Sequence, residues 1–381
     1  MDRRTRIAVV GAGLGGMTVA GFLQRAGFNA TVYEQAPSFS RIGAGIILTA
    51  NATKVLRRLG VEQKLVDTGI KADCYISRAW DSGKTIYEIW FDEASEAKYG
   101  GSYVNIHRGD LHAVIETAVA PGSIAFNHRL IELTETADVV RLRFDNGVTV
   151  EADIVIGADG VNSRVRDHLM GPQPPRYIGM AAHRAIFPAA LLGGTEIPDC
   201  TKWWGPDRHL LVYYMTHRRD EVYVIGVMPW ARWDSDTVPL PSSRDALLEG
   251  FGHFHPDLRR VLDVVRSVSL WPVFDRERND RWSGGRVVLL GDSCHPVRPF
   301  MAAGGAMAIE DAAILSRCLT EFDAPAVAFR AYEATRQSRV GDVQRISIEN
   351  SWMGGPTDTD WFYCYDACTA PLAAPAPAPA L

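Results

Sequence analysis

The sequence predicts an α/β fold, in which a Rossmann-like nucleotide-binding domain carries an inserted, mostly β domain and a C-terminal helix. Three observations support this prediction. The spacing Gly11-x-Gly13-x-x-Gly16 follows a short apolar strand and opens a helix. Two later apolar strands, near residues 156 and 290, each run into a Gly/Asp turn. Residues 176–275 are rich in Trp and Tyr, which is typical of β structure.

The first βαβ unit is predicted from residues 6–34. Two short strands flank a segment of helical spacing that ends at Gly27, a residue common just after a helix. Glycines at the fingerprint positions permit a tight turn, close approach of a pyrophosphate and close packing of helix on strand. Glu34 ends the second strand, where it can accept hydrogen bonds from both ribose hydroxyls and would repel a 2′-phosphate. The unit therefore predicts a dinucleotide site that disfavours NADP.

The later elements predict a discontinuous nucleotide-binding domain. Asn146-Gly147 is a hairpin turn, and residues 108–119 have helical spacing. The strands near 156 and 290 are too short to form sheets alone, so we expect them to join the N-terminal strand in one sheet. The predicted limits are residues 1–71, 101–175 and 276–345 for the nucleotide-binding domain, 72–100 and 176–275 for the substrate domain, and 346–381 for a C-terminal segment. Its Ala/Pro tail, from residue 370, is expected to be disordered and to take no part in the core.

Composition argues against several classes of protein. The 381 residues include 40 Lys and Arg against 45 Asp and Glu, a net charge of −5, which is not the basic footprint of a nucleic-acid-binding protein. The sequence shows neither a run of about 18 apolar residues for a membrane span nor a signal peptide. Its six cysteines lack metal-ligand spacing and are predicted to be free thiols, so we expect a cytoplasmic protein without a metal site or membrane anchor.

Two further segments fit one long dinucleotide. "DIVIGADGVNSRVR" runs from a strand into Asp159 and Arg164, and "RVVLLGDSCHPVRPFMAAGGAMAIEDA" runs from a strand into Asp292 and a helix start of small residues. A carboxylate at a strand end can hold a second ribose, and a bare helix start offers backbone N–H groups. A dehydrogenase needs only the first fingerprint, so the three signals favour FAD. We expect the FAD to be bound tightly and without a covalent link. An NAD-dependent dehydrogenase without flavin is the alternative.

These three motifs, in this order, resemble the class A flavoprotein aromatic hydroxylases over about residues 5–345. The resemblance implies that Glu34 binds the adenosine ribose, that Arg108 lies along FAD and that Asp292 meets its ribityl or pyrophosphate region. It implies that the stretch after Pro299 cradles the isoalloxazine. The residues expected to bind FAD are Gly11, Gly13, Leu14, Gly15, Gly16, Glu34, Gln35, Arg41, Ala44, Gly45, Arg108, Leu130, Asp159, Arg164, Asp292, Pro299, Gly304, Gly305 and Ala306.

The reaction is an implication of the same resemblance. NADH, a transient partner, is expected to reduce FAD, and reduced flavin with O₂ is expected to form a C4a-hydroperoxide that hydroxylates an electron-rich ring. Flavin reduction is expected to be fast only when the right ring substrate is bound. The remaining expected partner is a small aromatic substrate, and the protein is expected to be a monomer or a homodimer.

The substrate pocket is predicted from an alternating strand. His209, Leu211 and Tyr213 share one face, where on sequence grounds alone they could equally fill a core. The segments "CTKWW…DRHLLVYY", "AAHRA" and "WFYCYD" resemble the branch of the family that acts on 6-hydroxynicotinate. This resemblance implies catalytic roles for His209 and Tyr213 and a place for Cys200 in the pocket. Trp204 alternates away from Trp203 and is expected to fill the core.

Two positions depart from that branch. Ile47 and Phe300 stand where its members have histidines, and both positions are expected to lie beside the ring substrate. Apolar side chains are poor partners for a buried carboxylate. The substrate is therefore predicted to be a hydroxylated aromatic or N-heteroaromatic acid such as 6-hydroxynicotinate, hydroxylated with or without loss of CO₂. The alternative is a less polar phenol or hydroxypyridine without the carboxylate.

Overall fold

The computed structural model describes residues 1–41, 44–235 and 238–375. The strands are β1 Arg6–Val10, β2 Asn29–Tyr33, β3 Gly45–Leu48, β4 Ile70–Lys71, β5 Cys74–Ala79, β6 Thr85–Trp90, β7 Val104–His107, β8 Ile124–Ala125, β9 Leu130–Glu135, β10 Val140–Phe144, β11 Thr149–Ala152, β12 Ile154–Gly157, β13 Arg176–Pro188, β14 Cys200–Trp204, β15 His209–Tyr214, β16 Glu221–Pro229, β17 Leu240–Ser242, β18 Val268–Asp275, β19 Ser283–Gly284 and β20 Val287–Leu289.

Helices cover the sheets. The α-helices are α1 Leu14–Arg25, α2 Ala50–Arg58, α3 Glu62–Thr68, α4 Glu93–Tyr99, α5 Arg108–Glu116, α6 Arg164–Met170, α7 Arg244–Phe251, α8 Pro256–Asp263, α9 Gly304–Glu321, α10 Pro325–Glu349 and α11 Asp360–Tyr363. Short 3₁₀ turns occupy Ala189–Leu192, Gly291–Ser293 and Pro299–Met301. Among the described residues, none of these helices has the length and apolar character needed to cross a membrane.

One six-stranded sheet unites segments that are far apart in sequence. Its order is β19-β20-β12-β1-β2-β8, and all neighbours are parallel except β19 and β20. Ile156 of β12 lies between Val9 of β1 and Val288 of β20 in the register. All three side chains are fully buried, as expected for the continuous apolar strands of a parallel sheet covered on both faces. The predicted shared sheet and the α/β fold class are confirmed.

A second, eight-stranded sheet contains most of the remaining strands. Its order is β17-β18-β13-β16-β15-β14-β5-β6, and only the β14–β5 pair is parallel. This pairing joins residues 74–79 to residues 200–204 although more than a hundred residues separate them. The hairpin at Asn146-Gly147 connects β10 and β11, as predicted. The proposed domain limits remain a prediction.

The C-terminal segment packs on the body of the protein. Leu372 packs against the main hydrophobic core, and the Ala373 N–H donates to the Thr335 hydroxyl. The expectation that the tail takes no part in the core is therefore wrong for these residues. The predicted disorder of the Ala/Pro tail from residue 376 onward falls outside the described residues.

Candidate active site

A large cleft runs along the carboxyl ends of β1, β2 and β12. It encloses about 880 Å³, within the range of pockets that bury whole small-molecule ligands. Ligands of open parallel sheets bind at this edge, where the loops after neighbouring strands diverge. The sequence-predicted residues on its wall are Gly11, Gly13, Glu34, Gln35, Arg108, Leu130, Asp159 and Arg164.

The glycine fingerprint forms the floor of this cleft. Gly11 has a φ of +100°, and a Cβ there would lie 2.5 Å from the carbonyl oxygen of Ala158, so no larger residue fits. A Cβ at Gly16 would collide with the carbonyl oxygen of Gly11. Helix α1 begins immediately afterwards, and none of the described side chains caps its first turn. Its free N–H groups and positive dipole end therefore remain available to an anionic group.

Glu34 is held in place by the fingerprint loop. One carboxylate oxygen accepts from the Ala12 N–H at 2.8 Å, and the other accepts from the Ala36 N–H at 2.9 Å. Each oxygen keeps a lone pair for a further donor. Glu34 can thus accept two hydroxyls of a ribose from a fixed position.

Asp159 is engaged within its own loop. Its carboxylate accepts from the Ser163 hydroxyl at 2.5 Å and from the Arg164 N–H at 2.7 Å, at the start of α6. Burial raises the pKa of Asp159, and these hydrogen bonds oppose the rise. The carboxylate therefore shapes the loop, while the Arg164 side chain faces the cleft.

Several predicted cofactor residues lie beside the cleft rather than on its described wall. Gly15 allows α1 to pack closely on α9, since a Cβ there would lie 3.2 Å from Ala308 of α9 and 2.5 Å from Leu290. Arg41 pairs with Asp110 and Glu221, and the Ala44 carbonyl accepts from the Arg108 N–H at 3.0 Å. The others outside that wall are Leu14, Gly16, Gly45, Asp292, Pro299, Gly304, Gly305 and Ala306.

The turn at Asp292 faces the start of α9. The Asp292 side chain is exposed, but neighbouring protein atoms keep part of the surrounding water away from its carboxyl. This partial loss of water raises the pKa of Asp292. Gly304 lies close enough that an added Cβ would be 3.8 Å from Asp292, and a Cβ on Gly305 would be 2.7 Å from Ile46. No described side chain caps the first turn of α9. A second bare helix start thus meets a carboxylate, as the sequence predicts.

A smaller cavity of about 40 Å³ lies between the eight-stranded sheet, the end of β3, the Pro299–Met301 turn and the C-terminal segment. Pro299 is part of the wall of this cavity. The predicted residues His209, Ile47 and Phe300 line it, and the rings of His209 and Phe300 meet edge to face at 5.3 Å. The other lining residues are Thr49, Tyr75, Tyr103, Lys202, Leu211, Ile225, Val227, Met301, Ala302, Trp352, Met353 and Tyr363.

Tyr213 and Cys200 lie outside the described wall of that cavity. They face each other across the β14–β15 pair, and both are buried in the main core. The Tyr213 hydroxyl approaches β3 so closely that a Cβ on Gly45 would be 2.5 Å from it. Burial raises the pKa of Tyr213 and of Cys200, so both stay protonated at neutral pH.

His209 is neutral in the cavity. Burial, followed by the charge of Lys202, lowers the pKa of His209 well below its usual value. The Asn350 side-chain amide lies 3.5 Å from His209 Nδ1, and its Oδ1 has no other described partner, so the amide oxygen can accept from Nδ1–H and leave Nε2 as the acceptor. A neutral imidazole keeps one ring nitrogen as a hydrogen-bond acceptor, which a hydroxylated ring can use.

Sequence reasoning missed Lys202. It shares a face of β14 with Trp204, and its ammonium lies 3.6 Å from the centre of the Trp204 indole. The expectation that Trp204 fills the core is wrong: Trp204 lies on the cavity side beside His209, and Trp203 belongs to the second core cluster instead. The period of two that selected His209 also selects Lys202, once Cys200 is placed inward.

The C-terminal contributions were also missed. Trp352, Met353 and Tyr363 close one side of the cavity. The Lys54 ammonium fixes this segment by donating to the carbonyl oxygens of Tyr99, Tyr363 and Cys364 at 2.8–3.0 Å. The segment "WFYCYD" was the available signal, but only as a resemblance.

A buried ion network supports the Asp292 turn from behind. Arg336 of α10 donates to Glu310 at 2.6 Å and to Asp311 at 2.7 Å on α9. Asp311 also accepts from the Gly291 N–H at 2.9 Å and pairs with His295 at 2.6 Å. Burial raises the pKa of Asp311, but the facing His295 and Arg336 outweigh it and lower that pKa to about 2. The network thus fixes the turn to the two long helices.

Comparison with known proteins agrees with this geometry. The sequence pattern of the "FAD binding domain" family matches residues 4–347. The chain is 46% identical to 6-hydroxynicotinate 3-monooxygenase of Bordetella bronchiseptica (strain ATCC BAA-588 / NCTC 13252 / RB50) over 375 residues, 98% of each chain. It is 44% identical to the enzyme of that name from Pseudomonas fluorescens over 379 residues, again 98% of each chain. It is 37% identical to 3-amino-4-hydroxybenzoate 2-monooxygenase of Streptomyces cremeus, across 94% of this chain and 91% of that one.

Solved structures share the fold. HpxO of Klebsiella pneumoniae, complexed with FAD and uric acid, superposes with a TM-score of 0.80 at 25% identity, covering 94% of this chain and 92% of that one. A salicylate hydroxylase substrate complex superposes with a TM-score of 0.81 at 21% identity, covering 96% of both chains.

Proposed function

The chain belongs to the FAD-binding-domain family of flavin-dependent aromatic monooxygenases, and we propose that its substrate is a hydroxylated aromatic or N-heteroaromatic acid. The first candidate is 6-hydroxynicotinate, with NADH as the electron donor. The observation that supports this proposal most is the cavity beyond Pro299, which joins a neutral histidine to a buried lysine within an aromatic wall. A membership in this family sets aside the flavin-free dehydrogenase.

The cleft fits FAD. Its floor at Gly11 leaves no room for a side chain, which is the cradle that a pyrophosphate needs against the backbone. Two helix starts without described side-chain caps, those of α1 and α9, offer N–H groups to anionic parts of the cofactor. We propose that Glu34 binds the adenosine ribose, that Arg108 lines the pyrophosphate path and that Asp292 holds the ribityl chain. Bound FAD, reduced by NADH, supplies the electrons with which O₂ gives one oxygen atom to the ring.

The cavity residues would orient the ring and keep it dry. Tyr75, Tyr103 and Trp352 line the cavity and would cover the faces of the ring. His209 would accept the hydrogen bond of the ring hydroxyl, which makes the ring more electron-rich as the proton shifts toward nitrogen. Its low pKa means that His209 shares this proton rather than keeping it. Tyr213 lies behind β3 and would position the Gly45 backbone.

The proposed overall reaction balances with loss of the carboxylate. One ring carboxylate, O₂, NADH and two protons give one ring hydroxyl, CO₂, water and NAD⁺. Applied to 6-hydroxynicotinate, this replacement yields 2,5-dihydroxypyridine. Without decarboxylation, a ring hydrogen is replaced instead, and one proton rather than two is consumed.

A less polar substrate is the second candidate. Ile47 and Phe300 give the cavity an apolar end with no side-chain donor of their own. A phenol or hydroxypyridine without a carboxylate would bury no polar group against that apolar end without a hydrogen-bond partner. The two candidates differ only in whether the ring carries an anionic group.

Product analysis tests the proposal. The FAD-loaded protein is given NADH, O₂ and 6-hydroxynicotinate, and 2,5-dihydroxypyridine and CO₂ are quantified against NADH consumed. We expect a ratio near one for each, and we expect His209→Asn to lower the rate by about 10²- to 10⁴-fold. His217→Asn, at an exposed histidine, is the matched control and should leave the rate unchanged. NADH oxidation that yields only hydrogen peroxide would contradict the proposal.

A further inference from the structure

Among the described residues that line the proposed substrate cavity, Lys202 is the one lysine or arginine. It is only 3% exposed, because β14 lies inside the eight-stranded sheet with β5 and β15 on either side. Lysine is rarely this buried without a partner. The position therefore needs an explanation beyond packing.

The contacts of the Lys202 ammonium are incomplete. It donates to the Phe300 carbonyl oxygen at 3.2 Å and lies over the Trp204 indole at 3.6 Å. None of the ion pairs among the described residues involves Lys202, and no carboxylate contributes to the shift of its pKa. Lys54, the other buried lysine, fills all three donor positions with carbonyl oxygens. The Lys202 ammonium has three N–H donors, and only one of them has a hydrogen-bond acceptor. It can therefore donate to a further, anionic acceptor.

The other groups that face Lys202 carry no opposite charge. Burial raises the pKa of the cavity tyrosines Tyr75, Tyr103 and Tyr363, which therefore stay neutral. The pKa of Cys200, the neighbour on the same strand, is raised by burial as well. His209, on the paired strand, is neutral because its pKa is lowered. The cavity wall therefore offers one cationic group and nothing anionic to balance it.

We propose that Lys202 is a specificity-determining residue whose ammonium binds a carboxylate on the ring substrate. The inference rests on the proposed function and narrows it, because it selects anionic over neutral rings. A carboxylate would complete the donor set of Lys202 and compensate the burial of its charge. It also answers how a carboxylate can enter a cavity in which Ile47 and Phe300 offer no donor.

Burial has a consequence that agrees with this role. It lowers the pKa of Lys202 to about 7. Without a ligand, the amine thus loses its proton easily. A bound carboxylate favours the charged form and draws the pKa upward.

Ligand binding to the FAD-loaded protein tests the inference. Binding is followed by the change in the flavin spectrum, with two rings that differ only in the carboxylate: 6-hydroxynicotinate and 2-hydroxypyridine. We expect the wild-type protein to bind the carboxylate ring at least about 30-fold more tightly. We expect Lys202→Met to remove most of that preference, while it changes the affinity for 2-hydroxypyridine by less than about threefold. Lys84→Met, at an exposed lysine, is the matched control.

A measurement on the wild-type protein covers the case in which Lys202→Met does not fold. The Kd for 6-hydroxynicotinate should rise by up to about tenfold per pH unit above pH 7, because the free amine loses its proton there. The Kd for 2-hydroxypyridine should stay constant. Equal pH dependence for both rings would overturn the inference.

The outcomes separate the two claims. If Lys202→Met loses affinity for both rings equally, or for neither, the role of Lys202 is overturned even if 6-hydroxynicotinate is turned over. Selective loss of the carboxylate ring supports it even if the product analysis fails. A wild-type protein that binds 2-hydroxypyridine as tightly as 6-hydroxynicotinate overturns it as well.

Discussion

The protein buries charge in two regions and treats it in opposite ways. Between α9 and α10, Glu310 and Asp311 meet Arg336 and Arg339, and each of these charges has a partner of the opposite sign within 2.8 Å. In the proposed substrate cavity, Lys202 has a carbonyl oxygen and an indole face but no described carboxylate. Buried charge that is fully paired fixes a structure, whereas buried charge left unpaired is costly unless a ligand completes it. We infer from this difference that the first region supports the fold and propose that the second binds a substrate.

Arg336→Met should produce the largest effect. The Arg336 side chain is 0% exposed, and its removal leaves two buried carboxylates short of a partner. We expect the free energy of unfolding to fall by about 3–5 kcal/mol. Urea denaturation measures it, and Arg345→Met, at an exposed ion pair on the same helix, should leave stability nearly unchanged. Similar stability of the two variants would show that the network is not the support described here.

Asp311→Asn should be the next largest. The substitution keeps the shape but removes the charge that Arg336 and His295 face, at a cost of about 3 kcal/mol near neutral pH. It should also weaken FAD binding, because Asp311 holds the Gly291 N–H beside Asp292.

The dependence of the free energy of unfolding on pH, measured in the acid range, tests the role of Asp311 separately. The pKa of Asp311 is about 2 in the folded protein against 3.8 ordinarily, so its ionised form favours folding. This contribution is complete above about pH 4 and is lost as the pH falls toward 2. The stability gap between wild type and Asp311→Asn should therefore narrow over that range. A constant gap would mean that Asp311 does not titrate as described.

Lys202→Met should change stability in the opposite direction. Without ligand, at pH 6, the wild type carries a buried ammonium that lacks an anion, and its removal should raise the free energy of unfolding by about 2 kcal/mol. The pKa of Lys202 is about 7 when folded and 10.5 ordinarily, so the unfolded chain holds the proton longer. The gain should therefore shrink as the pH rises above 7. A loss of stability at pH 6 would place Lys202 with the paired charges instead.

Lys54→Met should change the free energy of unfolding least, because Lys54 is neither paired with a carboxylate, as Arg336 is, nor short of acceptors, as Lys202 is. Its ammonium is buried but satisfied by three carbonyl oxygens, so we expect a loss of about 1–2 kcal/mol. Because two of those carbonyls belong to Tyr363 and Cys364, the C-terminal segment should also exchange amide hydrogens faster. Lys71→Met, at an exposed ion pair, is the control. Unchanged exchange would mean that the segment is held by its aromatic contacts alone.

The parts that the sequence predicted well are those that local spacing determines. The fingerprint at Gly11 follows from backbone sterics within one βαβ unit, and Glu34 follows from the length of that unit. The shared sheet followed from strands too short to stand alone. These features need no knowledge of which distant segments meet.

The parts that were missed depend on distant segments. The cavity wall combines Ile47, Lys202, Phe300 and Trp352, from four separate regions of the chain. Alternation along β14 identifies the face of Lys202 but not what that face meets, and a lysine on a strand is normally expected at the surface. Likewise, the pairing of Glu310 with Arg336 depends on how two helices pack.

Substrate-dependent flavin reduction tests the central claim most directly, namely that the cavity selects an anionic hydroxylated ring. The FAD-loaded protein is mixed with NADH without oxygen, and the fall in yellow absorbance is followed with 6-hydroxynicotinate, with 2-hydroxypyridine and with no ring. We predict that 6-hydroxynicotinate accelerates reduction by about tenfold or more and that 2-hydroxypyridine does not. Equal acceleration by both rings, or by neither, would contradict the account.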